Sequence, residues 1–295
     1  MEELQECPAC LNKEFTFILS AKDYTVSNQT FQIVACNSCN LQFTNPRPKS
    51  SEAGPYYQSE NYISHSNTEK GFINQLYQKV RNITLRLKTN WIEPEKKEGK
   101  NLLDVGCGTG HFLQACQKRG WNIHGMELDP ATASKAAKMT GKTIYPQLNN
   151  IPESESFQVI SLWHVLEHVY EIHDYFKFFK KHLAQNGKLF LALPNCQSYD
   201  AQYFKEHWAA YDVPRHIYHF TPETIQSIAN QYGFSLKEKR GLIFDSFYIS
   251  LMSHQYQSGS KKIIMSFIIG LISNLKASLG GGNYSSNLYI FEHAK

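Results

Sequence analysis

Four cysteines fall into two Cys-x-x-Cys pairs, Cys7 with Cys10 and Cys36 with Cys39, separated by 25 residues. Each pair sets two thiolates on one tight turn, and two such turns brought alongside make a tetrahedral site for zinc. Four thiolates leave no open coordination position, so such an ion is structural, and its binding supplies on the order of 10 kcal/mol of folding energy. Each turn needs a residue that tolerates positive φ after its second cysteine; Asn40 suits this and Leu11 fits it less well. The competing reading is four incidental thiols. A second group is Asp104-Val105-Gly106-Cys107-Gly108-Thr109-Gly110. A dinucleotide fingerprint would need glycine where His111 stands, and no Gly-Lys-Ser/Thr of a P-loop follows. A carboxylate two residues before the first glycine suits a cationic ligand better than a pyrophosphate. The third group, His164, Glu167 and His168, offers either metal ligands or a general base, or a satisfied polar pair that shapes a pocket. A fourth, Trp208 to Phe220, is dense in aromatics and histidines. Its His216 is a general-base candidate, because histidine is the side chain suited to proton transfer near neutral pH, with loop hydrogen bonding as the alternative role.

These groups must be positioned by ordinary elements. Phe15–Leu19 and Phe31–Val34 read as strands around a polar turn, placing both cysteine pairs on a small module. Asn45-Pro46-Arg47-Pro48 and Gly54-Pro55 look like its exit. Apolar residues at 72, 76, 80, 83, 87 and 91 predict an amphipathic helix ending before Glu93-Pro94. From residue 101 short apolar strands alternate with helical patterns: strands at 101–105, 121–127, 157–163 and 188–193, and helices at 111–119, 130–139, about 165–183 and from Thr221 to near Gly233. Such alternation predicts an α/β fold with a mostly parallel sheet covered on both faces. The glycine loop then sits between a strand and a helix.

Composition excludes several classes. The chain has 295 residues, is 42% hydrophobic and carries a net charge of +4. That is too apolar for a disordered protein and too weakly basic for a dedicated nucleic-acid binder, so no nucleic-acid partner is expected. An acidic start without an apolar core segment predicts no signal peptide and a cytoplasmic location, where thiols stay reduced. Seven cysteines thus divide into four ligands and Cys107, Cys116 and Cys196.

The stretch Asp104-x-Gly106-x-Gly108-x-Gly110 resembles the cofactor loop of class I S-adenosylmethionine-dependent methyltransferases, whose cofactor carries a sulfonium and an ammonium and no phosphate. The resemblance covers roughly residues 100–240. It implies a Rossmann-like, doubly wound, seven-stranded domain over 99–295 with substrate-covering insertions; the cysteine pairs put a zinc ribbon over 1–48 before it, and the apolar periodicity puts a linker with a helix over 49–98. It also implies that Glu127, at the end of the second strand, takes the ribose hydroxyls, with Leu128, Trp163 and His164 beside the cofactor; Asp129 reads instead as a helix cap before Pro130. After the third strand this chain has Pro146-Gln147-Leu148-Asn149-Asn150, without the acid usual in the family. The segment after the fourth strand is similar to a group that includes quinone-biosynthetic O-methyltransferases and sugar-modifying enzymes, with His164 in place of an acid. The Pro214-Arg215-His216 segment resembles that group too, and resembles a Glu-His pair of zinc-containing sugar C-methyltransferases with Arg215 in place of the Glu. By the same resemblance Tyr57 or Tyr62 reaches the substrate, alongside Trp208, Arg215 and His219.

The expected activity is methyl transfer to an O or C atom of a small molecule or a glycan- or lipid-linked precursor. Two rivals stand beside it: an RNA or protein methyltransferase gripping its target with the ribbon, and a non-catalytic cofactor-binding module. Residues 1–45 contain only Lys13 and Lys22 as basic residues, which disfavours the first. Residues 261–276 place Ile264, Phe267, Ile268, Leu271 and Leu275 on one helical face between lysines, giving either a packed helix or a membrane-surface contact. The oligomeric state is not legible.

Overall fold

Alternation of large apolar and polar residues makes a hairpin of β1 (Phe15–Lys22) and β2 (Thr30–Cys36), to which β3 (Gln42–Thr44) adds antiparallel. The protein is seen here as a computed structural model that describes residues 1–58, 72–93 and 99–294, apart from the side chains of 72–79. Tyr62 lies outside the described residues. Both cysteine turns close as the spacing requires. Leu11 and Asn40 take left-handed φ values of 62° and 60°, and their amides donate to the carbonyls of Cys7 (2.9 Å) and Cys36 (3.0 Å). Leu11 accepts a conformation it does not favour, with its side chain in solvent.

The expected linking helix is α1 (Phe72–Trp91). Beyond it run β4 (Asn101–Val105), α2 (His111–Gln117), β5 (Asn122–Met126), α3 (Pro130–Thr140), β6 (Ile144–Tyr145) and β7 (Phe157–Trp163). The remainder is α4 (Ile172–His182), β8 (Leu183–Pro194), α5 (Tyr199–Phe204), β9 (Tyr218–His219), α6 (Pro222–Gln231), β10 (Phe234–Gly241), α7 (Asp245–Ser258), α8 (Ile263–Leu279) and β11 (Ser286–His293). Seven strands form one sheet in the order β10-β11-β8-β7-β4-β5-β6. It is parallel apart from β11, which runs antiparallel to both neighbours. Leu102, Leu103, Val105, Ile160, Leu162 and Leu191 are fully buried between the helical layers. From β4 the chain winds outward to β5 and β6, then crosses back to β7 on the other side. The carboxyl ends of β4 and β7 thus flank the switch point at which open α/β sheets bind ligands.

One expectation changes. The helix foreseen over about 165–183 is broken into a 3-10 turn, Leu166–His168, and α4. The Glu167 carbonyl accepts from the Ile217 amide (2.9 Å) and Val169 is extended, so backbone that would have continued the helix is bonded to the loop before β9. His164, Glu167 and His168 therefore converge through a tight turn and not along one helical face.

A second change concerns the junction at residue 48. β9 pairs antiparallel with β3, Phe43 opposite Tyr218, so the cysteine module's sheet takes its fourth strand from the large domain. Just before that strand lies Arg215, which is 2% exposed. Its Nη2 donates to Asp212 (2.6 Å) and to Asp23 of the module (3.2 Å), its Nε to Asp212 (3.0 Å) and its Nη1 to the Tyr56 carbonyl (3.0 Å). Removing a guanidinium from buried carboxylates strands their charge. Arg215→Ala should thus lower stability in urea titration by about 3–5 kcal/mol, and Arg215→Met, which keeps the packing volume but not the charge, should not restore it.

Candidate active site at the carboxyl ends of β4, β5 and β7

The glycine loop leaves β4 under close constraint. A Cβ on Gly106, at φ +68°, would lie 2.5 Å from Val165 Cγ2, so the loop packs against the β7 turn only because that residue lacks a side chain. A Cβ on Gly108 would meet no atom within 4 Å, so its backbone faces open space where a ligand can approach. Glu127 stands at the end of β5, its Oε2 accepting from Gly108 N (2.9 Å) and its Oε1 from Asp129 N (3.1 Å). A carboxylate has about four lone-pair sites, so two remain for a vicinal diol. Leu128 beside it is exposed, and Asp129 caps α3 by accepting from Thr132 N at 2.7 Å, as expected.

Asp104 is buried beneath the loop and accepts from Ser161 Oγ at 2.6 Å. Burial pushes its carboxyl up to about 7, against the pull of Ser161 and Lys88. Lys88, on α1, holds its ammonium 4.2 Å from the centre of the Trp163 ring. Burial lowers its pKa, opposed by Asp245 and Asp104. Trp163 also packs edge-on against Phe112 at 5.4 Å. His164 follows with a left-handed φ of 58°, a strained conformation for a side-chain-bearing residue at a site. Its Nε2 lies 3.0 Å from Asp245 Oδ2 and its Nδ1 3.5 Å from Glu167 Oε1. With a carboxylate facing each nitrogen the ring is an imidazolium. Burial opposes the charge, but the two acids prevail and raise its pKa to about 9.

Across the mouth, the loop before β9 closes on the β7 turn. His216 Nδ1 donates to the Ala210 carbonyl (2.8 Å), because a carbonyl can only accept. Its Nε2 is left to take a proton, 3.9 Å from Asp212 Oδ2 and 4.0 Å from Glu167 Oε1. His168, edge-on to His216 at 4.6 Å, donates from Nδ1 to the Arg215 carbonyl (3.0 Å). Burial, then the neighbouring His216, lowers its pKa to about 4, so it is neutral with a lone pair on Nε2. Glu167 is fully buried, and among the described residues neither of its oxygens makes a hydrogen bond. Burial pushes it up, yet His164 and His216 outweigh that and its pKa is lowered. Glu167, His168 and His216 have donor atoms within 4.8 Å of one another, a separation one ion could bridge. Tyr57, from the segment that leaves the cysteine module, brings its hydroxyl 3.1 Å from His168 Nδ1.

Three expected substrate residues lie elsewhere. Trp208 is buried and donates to Asp200 at 2.7 Å, packed in the apolar cluster that includes Phe31 and Ile33. His219 is buried on β9 against Thr44 Oγ1 (3.2 Å). The Arg215 guanidinium is the junction clamp described above; only its carbonyl reaches the cluster. Conversely, Lys88, Asp212 and Asp245 were not singled out from sequence. Lys88 adjoins the apolar stripe of α1 at Leu87 and Trp91, a faint signal; Asp245 and Asp212 carry none.

At the N-terminal module the sulfurs fit a tetrahedral ion. Cys7–Cys39 and Cys10–Cys36 are 3.6 and 3.5 Å apart, and all four lie within 4.8 Å of one another. A Zn–S bond of about 2.3 Å gives a sulfur–sulfur edge of about 3.8 Å.

A family model described as "Methyltransferase domain" matches residues 72–239. The chain belongs to this family. The ubiquinone biosynthesis O-methyltransferase of Rickettsia prowazekii (strain Madrid E) is 26% identical over 201 residues, covering 62% of this chain and 78% of that protein. That of Rickettsia akari (strain Hartford) is 26% identical over 156 residues, 49% of this chain. The chain spans 62% of the length of the Rickettsia akari relative. Among solved structures, magnesium protoporphyrin IX methyltransferase from Synechocystis PCC 6803 with bound SAH has a TM-score of 0.55 at 12% identity, over 83% of this chain and 100% of that one. That is a likeness of fold. The cysteine module and the helices α7 and α8 lie outside the matched region.

The His164 pair gives a pH test. Its pKa is raised from an ordinary 6.5 to about 9, so the stability it contributes is full below about 6.5 and is lost as pH rises through about 9. The melting temperature should fall across that window in the native chain, and by measurably less in His164→Asn.

Proposed function

We propose that this chain transfers a methyl group from S-adenosylmethionine to an oxygen or carbon atom of a small molecule or a glycan- or lipid-linked precursor. The observation that carries the reading is the pairing of Glu127 with the open face of Gly108, across the sheet end from a proton-accepting cluster. The cofactor, when bound, supplies an electrophilic methyl on a sulfonium. In this reading the Gly106–Gly110 loop and Leu128 hold it, Glu127 accepts from its ribose hydroxyls, and the acids Asp104 and Asp245 face the positive charges of the cofactor and of Lys88. Trp163 and His164 wall the site toward the acceptor. The acceptor's proton goes to His216 Nε2, and Glu167 and Asp212 stabilise the imidazolium formed there, as a carboxylate supports a histidine base. Tyr57 and His168, beside His216, orient the acceptor. The relatives' name, ubiquinone biosynthesis O-methyltransferase, favours a hydroxyl acceptor. We further infer a structural zinc ion on Cys7, Cys10, Cys36 and Cys39, which fixes the segment that delivers Tyr57.

Calorimetry with S-adenosylmethionine tests the cofactor assignment; no heat of binding would sink it. Glu127→Ala should weaken binding by about tenfold to a hundredfold, the scale of one or two charged hydrogen bonds. His216→Ala should leave that affinity within about twofold while lowering kcat by roughly a hundredfold or more, the usual scale for a general base. Elemental analysis should return one zinc per chain, with none retained by a Cys7→Ser, Cys36→Ser double variant.

A further inference from the structure

The helical hairpin of α7 and α8 is built inside out. It fills the connection between β10 and β11, paired strands whose ends meet at Gly241 and Asn287. The buried side of α8 consists of Ser266, Ile269, Gly270, Ser273 and Ala277, mostly small residues. They let the helices approach closely: a Cβ on Gly270 would lie 3.1 Å from the Phe247 Cα. Serines supply the polar links, with Ser246 Oγ donating to the Gly270 carbonyl (3.1 Å), Ser266 Oγ against His254 Nδ1 (2.9 Å) and Ser273 Oγ donating to Asp200 (2.7 Å). The large apolar side chains point the other way. Ile264 is 79% exposed, Phe267 57% and Leu275 52%, and Ile263, Met265, Ile268, Leu271 and Leu279 join them. A water-facing helix normally shows the opposite distribution.

Charge selects the occupant of this face. Between Asp245 and Glu292 the chain carries no acidic residue and three lysines, Lys261 and Lys262 at the start of α8 and Lys276 near its end. Among the described residues no helix is long and apolar enough to cross a membrane. With 17 residues, α8 is about 25 Å long and suited to lie along a surface. We propose that α8 docks this chain on an anionic lipid bilayer, its Ile264–Phe267–Leu271–Leu275 face in the acyl boundary and Lys261 and Lys262 among the headgroups, while the Lys276 ammonium stays over the Tyr199 ring at 3.9 Å. The hairpin also walls the candidate active site, because Asp245 at the first turn of α7 binds His164. Docking therefore holds the site at the lipid–water boundary, within reach of an acceptor that carries an apolar tail. The inference concerns adsorption alone and is read without methyl transfer, so it fails or stands separately from the catalytic reading.

Flotation of the full chain with phosphatidylcholine vesicles, with and without about 30% phosphatidylglycerol, tests it. The expected result is partition onto the anionic vesicles that weakens with salt. Lys261→Glu with Lys262→Glu should reduce it by about 25-fold or more, since each lysine near an anionic surface is worth about fivefold and the reversed charge is repelled. Ile264→Glu with Leu271→Glu should abolish it while circular dichroism shows an unchanged melting temperature; these side chains are exposed and touch no part of the site. No partition of the native chain would overturn the proposal. So would partition that persists in a well-folded Ile264→Glu, Leu271→Glu chain, or a dimer in light scattering that the same substitutions dissolve without any vesicle binding.

Discussion

A guanidinium withdrawn from water must find carboxylates, and Arg215 finds one on each side of a junction. Asp23 belongs to the cysteine module, where it also accepts from the amides of Thr25, Val26 and Ser27. Asp212 belongs to the loop that carries His216 and adopts a left-handed conformation to do so. Because Arg215 and Asp23 are buried and Asp212 is half-buried beside them, none can move without leaving another unpaired. The loop, the module and the Tyr56 carbonyl are thus held in one arrangement. The Arg215 carbonyl, pointing the other way, fixes the His168 ring. A single side chain whose sequence context suggested substrate contact instead sets the geometry on which the histidine cluster depends.

The cluster itself separates its histidines by their surroundings. His164 lies between two acids and is cationic, whereas His168 lies against a carbonyl and another imidazole and is neutral. His216 has carboxylates beside the nitrogen that would receive a proton. Three chemically identical rings thus have three different electrostatic positions within one pocket, the kind of divergence that lets a site move protons in one direction. Glu167 links them, buried and close to two of the rings.

Short-range chemistry was legible in the residues. Gly106 and Gly108 announced a strand-to-helix turn, the cysteine pairs announced their turns, and Asp129-Pro130 announced a helix start. Each of those signals is confined to a few neighbouring residues. What escaped was set by contacts distant in sequence. Nothing near Arg215 reveals that Asp23 awaits it, and nothing near Asp245 reveals His164. The break in the helix after Val165 follows from the Ile217 amide, about fifty residues on. Lys88 lay beside a helical stripe whose facing surface the stripe could not specify. Trp208 and His219 lie in packing for a related reason: aromatic density marks a packed junction as readily as a pocket.

The sharing of β9 by the module's sheet bears on how such a protein could have been assembled. Recombination at an apparent linker exchanges modules freely when each half keeps its own hydrogen bonds. Here a cut near residue 48 would leave β3 with an unpaired edge and β9 without its sheet. A chimera carrying another cysteine module would therefore need to reproduce both the strand register at Tyr218 and a carboxylate for Arg215. The two parts are bound to change together, and variation in one should be followed by compensation in the other.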